Sequence, residues 1–299
     1  MKLRVVAAAK VNWTLEVLGR RDDGYHELRT VLQTLQLHDS ISLSPASVLD
    51  LRQSGEATSS WSMEQNLAYR AAEALREEAG DAELGALIEL EKVVPAAAGL
   101  GGGSSDAAAV LRGLNRVWGL DFDTTRLRRI AGGLGSDVPF FLTGGTAQAG
   151  GRGGEVAPLA DIPPLSLTIA VPPDRPQNKT SQMYRRLRSE HYTSGERTRR
   201  LVDKLAAGGA ISDDDVFNVF EIVLFDAMPL AALLMEECRE KGARPHLAGS
   251  GPALFFLSPL EPETTRRLQR AGATLIETAT ATAQESTACL PVGMAWEES

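Results

Sequence analysis

Between Leu87 and Val94 apolar and charged residues alternate (Leu-Ile-Glu-Leu-Glu-Lys-Val-Val). That two-residue period predicts a half-buried strand, which Pro95 stops. Beyond it the period changes. Ala107, Val110, Leu111, Leu114, Val117 and Trp118 recur three and four apart, the apolar stripe of a helix. Residues 95–106, Pro-Ala-Ala-Ala-Gly-Leu-Gly-Gly-Gly-Ser-Ser-Asp, are therefore a glycine-rich loop carried from a strand into a helix. Ser104, Ser105 and Asp106 are helix-entry residues, since their side-chain oxygens accept orphan N–H groups. Backbone N–H donors at the positive end of a helix dipole suit a phosphate chain.

The same patterning predicts short strands over 3–9 and 13–18 on either side of Lys10, then an Asp-Gly turn at 20–24. Strands over 28–37 and 40–43, an alanine-rich helix over 62–79 and a helix over 124–132 follow. Residues 135–141 read as a loop and an apolar strand, and 144–154 as hairpin turns. Ile162-Pro163-Pro164 is a stiff, composition-shifted linker and the expected boundary between domains at 1–161 and 162–299. Past it lie a strand over 165–171, helices over 180–206, 213–226 and 229–241, and a strand–turn–strand across 246–257. A helix near 261–271 and strands near 273–278 and 287–291 complete an α+β pattern.

Composition narrows the function classes. A net charge of -8 over 299 residues argues against a nucleic-acid surface. Arg185, Arg186, Arg188, Arg197, Arg199 and Arg200 form the single basic cluster, with the look of a solvated helix face. Two distant cysteines, Cys238 and Cys289, suit a reduced cytoplasmic protein. No apolar run is long enough to cross a membrane, and the four histidines lack metal-ligand spacing, so no built-in metal site is expected.

The glycine loop fits neither common phosphate motif. No lysine follows the glycines as a P-loop requires, and Ser104 stands where a dinucleotide fingerprint needs its third glycine, which disfavours a nicotinamide-dependent oxidoreductase. Three further patches carry candidate chemistry. Lys10 and Asn12 lie two apart, on one side of a strand, behind the small residues Ala7, Ala8 and Ala9. Asp137 sits in a Gly-x-Asp-Val-Pro turn, where an aspartate usually bonds its own backbone. Tyr25-His26 follows the Asp-Gly turn, a pairing able to stack on and hydrogen-bond a flat polar ring. Taken singly, each also has an ordinary reading as an exposed lysine, a turn residue or a cross-strand aromatic pair.

Together these segments resemble the GHMP kinases, the class of galactokinase, homoserine kinase and mevalonate kinase. Residues 95–106 look like their central phosphate loop, Lys10-Val-Asn12 like their first motif, and Ala248-Gly-Ser250-Gly-Pro252 like their third. Asp23-Gly-Tyr25-His26-Glu-Leu28 and Gly135-x-Asp137-Val-Pro139-Phe-Phe, followed by Gly144-Gly-Thr-Ala, are similar to members that act on a cytidyl diphosphate polyol in non-mevalonate isoprenoid synthesis. The similarity runs from about residue 5 to 257. Asp22, Ser136 and Ala248 depart from the usual proline, alanine and serine, so no hydroxyl role falls to position 248.

The resemblance implies a two-domain α+β GHMP kinase fold, with an N-terminal domain like that of a ribosomal protein (S5) and a ferredoxin-like C-terminal domain. It implies transfer of the ATP γ-phosphoryl to the acceptor's 2-hydroxyl, with Mg²⁺ accompanying ATP and no permanently bound cofactor. By the same resemblance Lys10 and Asp137 are catalytic, and Asn66, Pro95, Gly99, Leu100, Gly101, Gly102, Gly103, Ser104 and Ser105 bind ATP, with Ser104 or Ser105 helping to hold the metal. Asn12, Tyr25, His26, Thr180, Tyr184 and Ser250 bind the acceptor, Tyr25 and Tyr184 facing the two sides of cytosine. The partners implied are small molecules, neither nucleic acid nor membrane, for a monomer or weak homodimer. A sugar or homoserine kinase of the same superfamily would have no use for the Tyr25-His26 pair.

Overall fold

A computed structural model describes residues 1–55, 63–176 and 178–292. Two long antiparallel strands, β1 (Leu3–Arg20) and β2 (His26–Ala46), form the backbone of the first sheet. They are followed by β3 (Leu49–Gly55), α1 (Leu67–Ala79), β4 (Gly85–Lys92), α2 (Gly102–Val117), α3 (Thr124–Leu134), α4 (Val138–Thr143), and the hairpin β5 (Thr146–Gly151) and β6 (Glu155–Pro158). Residues 162–164 then lead to β7 (Ser166–Val171), α5 (Lys179–Arg186), α6 (Glu196–Ala206), β8 (Phe217–Asn218), α7 (Leu224–Ala227) and α8 (Pro229–Glu240). The chain ends with β9 (His246–Leu247), β10 (Leu254–Phe256), α9 (Pro262–Arg270), β11 (Thr274–Ala279), α10 (Ala283–Ser286) and β12 (Cys289–Pro291).

The first sheet has the order β12-β1-β2-β4-β3, with β5 on the first half of β2, β6 on β5, and β8 running parallel to β1. The second has the order β11-β7-β10-β9 and is antiparallel throughout. One face of the first sheet packs on α1 to α4 through Val5, Ile41, Leu43, Ile88 and Leu90 against Leu75, Leu111, Leu114 and Phe140. Each such large apolar side chain contributes about 1.5–3 kcal/mol of burial. Gly113 lets α2 lie close, since a Cβ there would meet Val5 Cγ2 at 2.9 Å. The opposite face of β1 presents Ala9, Val11 and Trp13 to Leu167, Ile169 and Phe255 of the second sheet. β1 is thus a shared wall, buried on both sides.

Several sequence-based expectations give way here. β1 is one strand rather than two, because Lys10 and Asn12 satisfy each other and the Lys10 N–H donates to the Leu100 carbonyl at 2.9 Å. The strands expected over 28–37 and 40–43 are likewise one, and β3 was not foreseen. The apolar run after Asp137 is helix α4, not a strand; Pro139 suits a first helical turn, where its missing N–H costs nothing. Residues 144–154 hold strand β5 as well as turns, the last of which leads into β6. The 180–206 segment is two helices, interrupted before Gly195, whose φ of 77° opens α6. The 213–226 segment breaks into 3₁₀ turns around β8, because Asn218 caps the 219–223 turn through the Phe220 N–H and bonds the β9 region. The helix expected from 62 begins at Leu67, and position 62 lies outside the described residues.

Candidate active site

The glycine loop leaves β4 and enters α2 with backbone that only glycine adopts without strain. Gly99 and Gly101 have φ of 92° and 77°. A Cβ at Gly99 would overlap the Ala248 carbonyl and lie 2.9 Å from that of Gly251; one at Gly101 would lie 2.7 Å from the Phe141 ring. Gly101, not a serine, is the N-cap of α2, and no side chain caps this helix. The orphan N–H groups of its first turn therefore remain for a ligand. Ser104, Ser105 and Asp106 lie within the helix, which corrects the expectation that they cap it. Ser104 lines a cleft, whereas Ser105 is buried.

Asp106 instead receives the Lys92 ammonium at 2.6 Å, and Lys92 also donates to the wholly buried Asp39. Asp39 accepts the N–H groups of Val93 and Val94 as well, at 2.6 and 2.8 Å, which pins the chain where strand becomes loop. Burial pushes the Asp106 carboxyl upward, partly offset by Lys92. Burial also works to lower Lys92, but the two carboxylates outweigh it and hold the ammonium charged. A Cβ on Gly102 would lie 3.3 Å from Lys92 Nζ, so the loop does have a lysine. It arrives from the preceding strand rather than after the glycines. Strand phase was the available signal: Ile88, Leu90 and Lys92 share the buried face.

Lys10 and Asn12 lie at irregularities in the β1–β2 register, between Ala8 and Lys10 and between Asn12 and Thr14, where bulges re-aim side chains. Lys10 Nζ donates to Asn12 Oδ1 at 2.8 Å and lies 3.7 Å from Asp137 Oδ2. Asn12 donates onward to Thr30 Oγ1 at 2.8 Å. Asp137 immediately precedes α4 yet makes no capping bond, which leaves its carboxylate facing a cavity of about 210 Å³. Gly249 closes this cavity from the second sheet; a Cβ there would come within 2.9 Å of Lys10 Nζ. Ser250 Oγ and Thr180 Oγ1 are hydrogen-bonded at 2.8 Å on the same wall.

A larger cleft of about 1170 Å³ shares Asp137, Thr180 and Tyr184 with that cavity and extends to Tyr25, His26 and Ser104. The Arg152 guanidinium covers one face of the exposed Tyr25 ring, 3.4 Å from its centroid. His26 stacks on Tyr184 with centroids 4.9 Å apart and meets the edge of Tyr192. Tyr184 in turn meets the edge of Phe220. Tyr184 therefore backs His26 rather than facing Tyr25 across a gap. Burial, then Arg20, lowers the His26 pKa and favours neutral imidazole. Burial pushes the Tyr184 hydroxyl upward, so it stays protonated.

Not every expected residue reaches these cavities. Asn66 spends its amide within the fold, accepting from the Ala68 N–H at 2.9 Å and donating to Gln53 at 3.0 Å. Pro95, Leu100 and Ser105 are buried behind the loop, and Gly102 and Gly103 form its helical end. Lys92, Lys179 and Arg152 were not anticipated. Among the described residues no group of acidic, histidine or cysteine side chains is arranged to hold a metal ion, and no helix is long and apolar enough to cross a membrane.

Residues 66–145 match the family described as GHMP kinases N terminal domain. The chain is 42% identical over 257 residues to a 4-diphosphocytidyl-2-C-methyl-D-erythritol kinase of Dehalococcoides mccartyi, covering 85% of this chain and 89% of that one. It is 42% identical over 275 residues to the kinase of the same name from Symbiobacterium thermophilum, covering 90% and 95%. A crystal structure of 4-(cytidine 5'-diphospho)-2C-methyl-D-erythritol kinase superposes with a TM-score of 0.74 at 35% identity, covering 93% and 99%. Methanococcus jannaschii mevalonate kinase shares the fold alone, with a TM-score of 0.64 at 9% identity. On fold and similarity along most of its length, the chain belongs to the 4-diphosphocytidyl-2-C-methyl-D-erythritol kinase family of the GHMP kinases.

Proposed function

We propose that this kinase transfers the γ-phosphoryl of ATP to the 2-hydroxyl of 4-diphosphocytidyl-2-C-methyl-D-erythritol, a step of non-mevalonate isoprenoid synthesis. The observation that carries the reading is the Lys10–Asp137 pair, 3.7 Å apart, at the junction of the phosphate loop and the aromatic cleft. Phosphoryl transfer asks the protein chiefly for positioning and charge neutralisation. The free first-turn N–H groups of α2 hold the ATP phosphates. Asp137 accepts the hydrogen bond, and then the proton, of the attacking hydroxyl; a positioned base contributes about 10²–10⁴-fold. Lys10, 3.7 Å from that carboxylate, faces the charge that gathers on the transferring group. Asn12, fixed between Lys10 and Thr30, orients the polyol.

Cytosine packs on the face of Tyr25 that Arg152 leaves open, and neutral His26, backed by Tyr184, bonds its edge. Thr180 and Ser250 line the acceptor side. The hydroxyl of Ser104 lines the cleft and is the one of the serine pair that fits an Mg²⁺ carried on ATP. That ion would supply neutralising charge to the phosphates. Residues 1–161 then form the nucleotide domain and 162–299 complete the acceptor cleft, in a cytoplasmic monomer or weak homodimer.

The test is steady-state kinetics with ATP and the cytidyl acceptor, set against galactose, mevalonate and homoserine. Turnover is expected with the cytidyl acceptor alone, and Asp137→Asn is expected to lower kcat at least about 100-fold. A loss under about tenfold, roughly 1.4 kcal/mol of transition-state stabilisation, would rule Asp137 out as the principal base.

A further inference from the structure

Besides Lys10 and Asp137, which the transfer uses, the small cavity and the larger cleft share a buried cation. Lys179 opens α5 and is 8% exposed, yet it lines both the small cavity and the larger cleft. Its ammonium donates to the Gly251 carbonyl and, at 3.4 Å, to Ser250 Oγ. Among the described residues it has no carboxylate within ion-pair distance. An ammonium has three donors, so one is left over on the cavity side of the third motif. The titratable groups facing it are Lys10 on β1, Asp137 ahead of α4, and Tyr184 further along its own helix.

The charges of the protein alone are therefore unbalanced here, with two buried ammoniums sharing one half-exposed carboxylate. A buried lysine without an anion is costly unless a ligand brings the missing charge. Resting on the kinase reading, we propose that Lys179 is a second phosphate-contacting ammonium of this site, held in place by Gly251 and Ser250 to receive phosphate oxygens opposite Lys10. The phosphate belongs either to the γ-phosphoryl of ATP or to the diphosphate of the acceptor, and the chemistry of recognition is the same.

A consequence for protons follows. Burial, then repulsion from Lys10, lowers the Lys179 pKa to about 7, with Asp137 pulling the other way. Phosphate charge beside it would raise that pKa again. At pH 8 the free lysine is mostly neutral and the bound one charged, so binding takes up a proton. The sign is fixed: phosphate affinity conferred by Lys179 weakens as pH rises above about 7.

Titration calorimetry at pH 8, in two buffers of different ionisation enthalpy, counts the protons taken up as Mg-ATP binds and, separately, as CDP binds. The wild-type protein is expected to take up close to one proton with one of the two, which identifies the phosphate concerned. Lys179→Met is expected to take up none and to bind that nucleotide at least about tenfold more weakly. Lys179→Arg, whose guanidinium stays charged, is expected to keep affinity within a few-fold without uptake, and it carries the test if the methionine variant does not fold. Binding without uptake, or equal uptake in the substituted proteins, overturns the proposal alone. Failure of both nucleotides to bind overturns the kinase reading along with it.

Discussion

Replacing Lys92 with methionine removes one charge from a buried cluster and leaves two carboxylates facing each other without a cation. Asp39 is wholly buried and Asp106 is 3% exposed, so neither can recover solvation from water. Neutralising a carboxylate in the folded state, against an unfolded pKa of about 3.9, costs about 1.36 kcal/mol per pH unit above that value. One such protonation amounts to about 5 kcal/mol at pH 7.5 and about 2 kcal/mol at pH 5.5. Breaking a buried pair usually costs about 3–5 kcal/mol, the same range. Lys92→Met is therefore expected to lose about 3–5 kcal/mol at pH 7.5 and about 2 kcal/mol at pH 5.5.

The sign follows from direction. A carboxyl raised in the fold is tolerated below its unfolded pKa and costs stability as pH rises. Urea unfolding followed by tryptophan fluorescence at the two pH values measures the difference. The triple neutral substitution Lys92→Met, Asp39→Asn and Asp106→Asn is expected to recover part of the loss. A loss below about 1.5 kcal/mol, or one that does not change with pH, would refute the assignment of this cluster as a charge-balanced anchor of the loop.

His26→Ala removes a ring stacked on Tyr184 at 4.9 Å. Losing the hydrogen bond proposed between His26 and the cytosine edge costs about 0.5–1.5 kcal/mol, so KM for the cytidyl acceptor is expected to rise up to about tenfold while KM for ATP stays within twofold. An unchanged acceptor KM would sink the cytosine assignment. Gly99→Ala places a methyl against the Ala248 carbonyl at a φ of 92°. ATP affinity measured by calorimetry is expected to fall at least about tenfold; wild-type affinity would show that the loop need not hold this conformation.

The family was legible because its signals are local. The glycine loop could be read from a strand period, a helix period and glycines between them, and Gly99 and Gly101 do take positive φ. Lys10, Asn12 and Asp137 were named from motifs, and the fold brings them together. The failures have physical reasons too. The five residues after Asp137, Val138 to Leu142, form an unbroken apolar run, which a strand and a buried helical turn satisfy equally well. Asn66 was named from a family likeness; that its amide oxygen caps α1 and its nitrogen donates to Gln53 is a use that only the fold displays.

Sequence alone determined the α+β class, the glycine loop between strand and helix, and Lys10, Asn12 and Asp137 as candidates that the fold brings together, since each reading depends on neighbours a few positions away. Tertiary structure decided where the charges lie. Lys92 reaches the loop from the strand before it, Lys179 enters from a helix beyond the first sheet, and Tyr184 stacks on His26 from the same helix. Such pairings join residues 14 to 158 positions apart in the chain. No periodicity encodes them, because burial and charge balance are properties of the packed whole.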